Sequence, residues 1–209
     1  MLARQRVQIW WIGLALTSAL TGVISARVVA DPKRVVDLRS VTSFSRLARP
    51  EERSRALFKE AGKVIMSARC LNCHPAGDTP SQGDQRTPHL PAVVRGADGH
   101  GAVGLRCNTC HQAENYEPSR VPGHPAWALA PLDMAWQGRS LGQICEQLKD
   151  SARNGGKTLS QIQEHMAHDT LVGWAWKPGA ARTPAPGNQA QFGELIAAWI
   201  ATGAACPAP

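Results

Sequence analysis

Aromatic residues are scarce in this chain. Phe, Trp and Tyr fill 5% of 209 positions, with three Phe and a single Tyr, which leaves little for a large polypeptide core. Seven of the eleven are Trp, and core filling is their simplest use. Long hydrophobic runs are also lacking after the first thirty residues, which excludes a chain with several membrane spans. No nucleophile–base pair, phosphate-cradling loop or carboxylate dyad stands out, so side chains alone offer no substrate chemistry. What is abundant is 19 Gly and 15 Pro, the composition of a loop-rich domain.

The formal charge of +7 is not a nucleic-acid footprint. Residues 1–30 hold Arg4, Arg6 and Arg27 and no acid, and without them 20 basic residues face 16 acidic ones, or +4. Arg4 and Arg6 precede an apolar run from Ile9 to Ala26, the layout of a secretory signal. Small-residue cleavage sites follow Ala26 and Ala30. The run is about 18 residues, near the lower limit for a span, so an uncleaved N-terminal anchor is the other reading. Both readings put the remainder in the periplasm, with the membrane reached only through this segment.

The stretch that organises the chain is Cys70–His111. It opens with Cys70-Leu71-Asn72-Cys73-His74 and closes with Cys107-Asn108-Thr109-Cys110-His111. Each is a C-x-x-C-H pentapeptide, the attachment signature of c-type haem. Two thiols at this spacing reach the two vinyl groups on one haem edge, and the next residue presents an imidazole to the iron. Given C-x-x-C, His follows by chance about one time in forty, so two such motifs point to two covalent haems. Four haem propionates, roughly −4 in charge, bring the exported holoprotein near neutrality. A zinc site built from Cys70, Cys73, Cys107 and Cys110 fits the spacing formally, but the paired His and the export segment argue for haem.

Residues 31–49 read as an extended leader, and 50–209 as one dihaem domain. Pro50, Glu51 and Glu52 suit a helix start, and Leu57, Phe58, Ala61, Val64, Ile65 and Ala68 form one apolar face. This helix is expected to run straight into Cys70 with its apolar face against a haem. Residues 75–106 and 112–137 read as irregular loops, including Gly96-Ala97-Asp98-Gly99-His100-Gly101. Three capping boxes then announce short helices: Ser140 with Gln143, Thr158 with Gln161, and Asn188 with Gln191. Pro178–Gly187 reads as a surface linker. The expected fold class is mainly α with extensive loops and few or no strands.

Cys145 and Cys206 are left outside the motifs, and in an exported protein such a pair is expected to form a disulfide. His74 and His111 are the expected proximal ligands. For the sixth positions the ranked candidates are His89, His165 and Met134, then His100 and His124. His165 has the firm support of a helix, Met134 stands in a sparse loop after Pro131, and His89 follows Pro88 between the motifs. His100 lies seven residues before Cys107 and is flanked by glycines. Met66 and Met166 fit their helices' apolar faces and are read as core. If both irons are six-coordinate, one of the first three candidates must be wrong.

Met134-Ala135-Trp136-Gln137-Gly138, Gln143-Ile144-Cys145-Glu146-Gln147, Asn154-Gly155-Gly156 and Leu171-Val172-Gly173-Trp174-Ala175-Trp176 resemble a family of small exported bacterial dihaem cytochromes c. Its members are often labelled "isoquinoline 1-oxidoreductase subunit". With both motifs and the ending Gly203-Ala204-Ala205-Cys206-Pro207, the likeness runs from about Cys70 onward. It implies redox protein partners, among them a molybdenum hydroxylase as electron donor. The family pattern has a His after Trp127 where this chain has Ala128, with His124 nearby. The leading expectation is an electron carrier and not an enzyme. The alternative is a dihaem peroxidase-like oxidoreductase with one open iron.

Overall fold

The computed structural model describes residues 37–179 and 182–209. The export segment and the first part of the expected leader lie outside them. The domain is mostly helical, with two small two-stranded sheets and long loops. Among the described residues no helix is long and apolar enough to cross a membrane.

Helix α1 (Pro50–Ile65) begins where expected, with proline at its first position and Glu51 and Glu52 in its first turn. It does not run into Cys70. Met66 leaves the helical region and Ser67 is extended, so a separate one-turn helix, α2 (Ala68–Leu71), carries the first motif cysteine. The apolar face of α1 is taken up by other parts of the chain. Leu57, Phe58, Ala61, Val64 and Ile65 are buried, and α1 packs against the C-terminal helix α6 (Gln189–Ala201). Phe58 meets the Trp199 ring at 4.8 Å. Beside that contact, Ser54 Oγ donates to the Trp199 carbonyl at 3.0 Å and accepts from Ala205 N at 2.9 Å.

All three capping boxes form, each with its Ser, Thr or Asn side chain and its Gln both engaged. They start α3 (Leu141–Lys149), α4 (Leu159–His168) and α6. Between α4 and α6 lies α5 (Thr170–Gly173), whose start is capped by Asp169. A 3-10 turn, Trp174–Trp176, follows it. Helix α4 packs on α6 as α1 does, so α6 is the centre of the core. The Cys145–Cys206 disulfide forms and ties α3 to the tail beyond α6.

Three expectations need correction. Residues 37–49 are not simply a leader: Leu38 and Phe44 are buried, and a 3-10 turn (Val41–Phe44) packs on α6. Met66 is 41% exposed, because it sits at the break after α1, whereas Met166 is core. The segment 178–187 does not stay on the surface throughout. Ala185 is fully buried, and its N–H donates to the Ala175 carbonyl at 2.9 Å.

The loop region carries two short antiparallel pairs. Strands β1 (Ser81–Gln82) and β2 (Thr87–Pro88) form one, and β3 (Gly101–Ala102) and β4 (Leu105–Arg106) the other. Gly99 and Gly101 have positive φ. A Cβ at either would stand 2.8 or 2.7 Å from a carbonyl oxygen, of Leu129 or Leu105. Gly99 thereby runs against the Leu129 backbone, and Gly101 against the Leu105–Cys107 backbone that leads into the second motif.

Candidate functional site

The first motif is wrapped by the segment 130–137. Ala130 N donates to the Cys73 carbonyl at 3.1 Å, and Trp136 N and Gln137 N donate to the His74 carbonyl at 3.0 and 3.1 Å. Within this wrap, His74 Nδ1 donates to the Met134 carbonyl at 2.7 Å. The Trp136 ring lies flat on the imidazole, with centroids 3.6 Å apart and planes 7° from parallel. Arg95, buried, steadies the arrangement from behind. It donates to the Gly77 carbonyl at 2.9 Å and to the Ala130 carbonyl.

The second motif repeats the device with different parts. His111 Nδ1 donates to the Pro122 carbonyl at 2.7 Å, and Trp127 stacks on the ring at 4.7 Å and 15°. Asn115 fixes this loop. Its Oδ1 accepts from Gly123 N at 3.0 Å and from Trp174 Nε1 at 2.9 Å, and its Nδ2 donates to the Lys177 carbonyl at 3.0 Å. Trp174 in turn meets Trp127 edge-on at 4.9 Å.

In both motifs the bond at Nδ1 selects one tautomer, with Nε2 unprotonated. Burial drives the His74 pKa down to about 4, and the charges of His165 and Arg95 add to the effect. Burial lowers His111 as well, with His89 as a further cause. Both imidazoles are therefore neutral at pH 7, the form that binds a metal. Burial also raises the Cys70 thiol to about 12 and the Cys73 thiol to about 11, so both are held protonated.

Cys73, Cys107, Cys110 and His111 line one cavity of about 580 Å³ with largely apolar walls. Cys73 of the first motif thus shares a cavity with the second motif, while Cys70 and His74 do not line it. Arg69 and Arg182 reach the same cavity. The Arg69 side chain is 1% exposed and bonds Asp84 at 2.6 Å, yet its Nε has no partner. A buried, half-satisfied guanidinium beside an apolar cavity is a place for an added carboxylate. Among the described residues no three His, Cys, Asp or Glu side chains are grouped to hold a metal ion, so the four motif thiols are not gathered as a zinc site.

The ranked distal candidates fare differently. His89 lines the cavity, its Nδ1 donates to the Pro91 carbonyl at 2.9 Å, and its ring lies 5.9 Å from that of His111. His165 is half-exposed on α4, with Nδ1 3.3 Å from Asp169. Met134 is buried in the core, and its carbonyl holds the Nδ1 of His74. That contact puts it behind the proximal imidazole, the wrong side for a sixth ligand to the same iron. His100 is exposed in the β3–β4 arm. His124 has both nitrogens engaged: Nε2 with Thr170 Oγ1 at 3.1 Å, and Nδ1 accepting from Ala126 N at 3.1 Å.

Several of these contributors were not legible as site residues. Trp127 and Trp136 read as core filler, and the Met134 and Pro122 carbonyls carry no residue signature at all. The one available signal was position, since Met134 and Trp136 share the short run after Pro131. No protein-family model, curated protein or solved structure matches the chain.

Proposed function

We propose that this chain is an exported dihaem c-type cytochrome that carries electrons between a periplasmic redox enzyme and a further carrier. The observation that carries the reading is the duplicated donor set. Each C-x-x-C-H histidine is neutral, tautomer-fixed by a backbone carbonyl and backed by a tryptophan. One such arrangement would be an ordinary buried histidine, but two, each next to its own thiol pair, match what a c-type haem needs from a protein.

Cys70, Cys73 and His74 would hold one haem, and Cys107, Cys110 and His111 the other. Bound haem iron supplies reversible one-electron chemistry. The carbonyls of Met134 and Pro122 hold the Nδ1 protons and so raise the basicity of the ligating nitrogens. The Trp136 and Trp127 faces keep each ring in one plane. Arg69 and Arg182 offer positive charge for haem carboxylates, which offsets the cost of burying Arg69 with an open Nε. Cys73 and the second motif line one cavity, which supports a short path between the two attachment sites, as transfer within one chain requires. A molybdenum hydroxylase as donor follows from the family resemblance alone.

The test is covalent haem content. Intact mass and haem staining after denaturation should give two haems per chain, falling to one in Cys70→Ala/Cys73→Ala and in Cys107→Ala/Cys110→Ala. A colourless wild-type protein would end the reading. A resting high-spin iron that binds peroxide or cyanide quickly would favour the peroxidase-like alternative over a pure carrier.

A further inference from the structure

We propose that His89 is the sixth ligand of the iron held by His111, which makes that haem bis-histidine. The proposal rests on the dihaem reading above. His89 and His111 line the same cavity as Cys107 and Cys110. Their ring centroids are 5.9 Å apart, with planes inclined at 61°. Two imidazoles bonded on opposite sides of one metal at about 2 Å each have ring centres roughly 6 Å apart, so the observed separation leaves room for a shared ion.

The nitrogens agree with this spacing. His89 spends Nδ1 on the Pro91 carbonyl at 2.9 Å, and His111 spends Nδ1 on the Pro122 carbonyl at 2.7 Å. Each ring thereby keeps its Nε2 lone pair, and neither Nε2 makes a hydrogen bond among the described residues.

His89 is also held in place rather than loosely tethered. It directly follows β2, which pairs with β1 through Ser81↔Pro88 and Gln82↔Thr87. Its N–H donates to the Pro80 carbonyl at 3.1 Å, and the next N–H, of Leu90, donates to Gln82 Oε1 at 3.3 Å. The small sheet is an arm whose end carries the imidazole to the second motif. The other candidates do not compete for this iron: His124 is fully engaged and Met134 stands behind His74. His165, with Nδ1 on Asp169, and the exposed His100 are the candidates that this leaves for the first iron. Bis-histidine ligation gives a lower potential than His/Met and closes the iron to peroxide.

The holoprotein and its variants test this by EPR and near-infrared magnetic circular dichroism. Wild type should show bis-histidine iron. His89→Ala should keep two covalent haems but convert the low-spin iron at His111 to high spin, with added imidazole restoring it. His89→Met should replace the bis-histidine signal of the haem at His111 with a His/Met signal and raise that haem's reduction potential; it carries the test if the alanine variant does not accumulate. In Cys107→Ala/Cys110→Ala, where only the first haem remains, His89→Ala should change nothing. Two haems bound with spectra unchanged by His89 substitution, a change at the first haem, or a wild type without any bis-histidine iron would overturn the proposal while leaving the dihaem reading intact. Absence of covalent haem in the wild type would overturn both.

Discussion

Removing the disulfide should cost this domain about 4 kcal/mol. Cys145 and Cys206 are 61 residues apart, and closing a loop of that length restricts the unfolded chain by about 4 kcal/mol at room temperature. In the proposed holoprotein, haem attachment would not duplicate this restraint, since each C-x-x-C pair closes only a few residues. The native side should change little in Cys145→Ala/Cys206→Ala. The tail remains held by Arg55 Nε donating to the Cys206 carbonyl at 3.1 Å, by Ala205 N donating to Ser54 Oγ at 2.9 Å, and by Trp199 Nε1 donating to the Ala205 carbonyl at 3.1 Å. Because the effect acts on the unfolded state, two readouts should move together. Urea denaturation followed by circular dichroism should show the loss in stability, and the slope with denaturant should rise as the uncrosslinked chain exposes more surface. In thermal melts the same loss is a fall of roughly 8–16 °C for a chain of this size. A loss below about 1 kcal/mol, or a loss with no rise in slope, would refute the loop-entropy reasoning.

Two further predictions test local geometry. Gly142→Ala places a Cβ 2.6 Å from the Pro207 and Ala208 carbonyl oxygens, so the tail must shift, at a cost of about 1–3 kcal/mol in the same denaturation assay. Asp98 accepts from Arg106 Nη2 at 2.7 Å, from Arg106 Nη1 at 3.1 Å and from His100 N at 3.0 Å, and these bonds pull its carboxyl down to about 2. Its contribution is then present above the unfolded value near 3.8 and is lost as pH falls toward 2. Carbon-detected NMR titration should show Asp98 titrating near 2 and moving up in Arg106→Ala; an unmoved midpoint would remove Arg106 as the cause.

Much of the fold was written in local signals. The three capping boxes and the start of α1 are decided by side chains within four residues of the helix ends, so they can be read without neighbours. The end of α1 could not. The apolar spacing continues through Ala68, yet the chain breaks at Met66 and Ser67 to set Cys70 on its own turn. Leu38 and Phe44 were hidden by the polar residues around them, because two anchors in thirteen positions make no period.

By itself the sequence determined the donors: two C-x-x-C-H pentapeptides, whose spacing is local covalent geometry, and one remaining cysteine pair. Tertiary structure decided what surrounds them. Every residue has a carbonyl, so nothing in the order of amino acids marks Met134 and Pro122 as acceptors for His74 and His111. Trp136 lies 62 positions from the ring it covers, and His89 lies 22 positions from the ring it approaches. Such partners become neighbours only when loops without a repeating pattern close on one another. The folded chain, rather than the motif, therefore sets His89 beside His111, Met134 behind His74, and both nitrogens of His124 in hydrogen bonds.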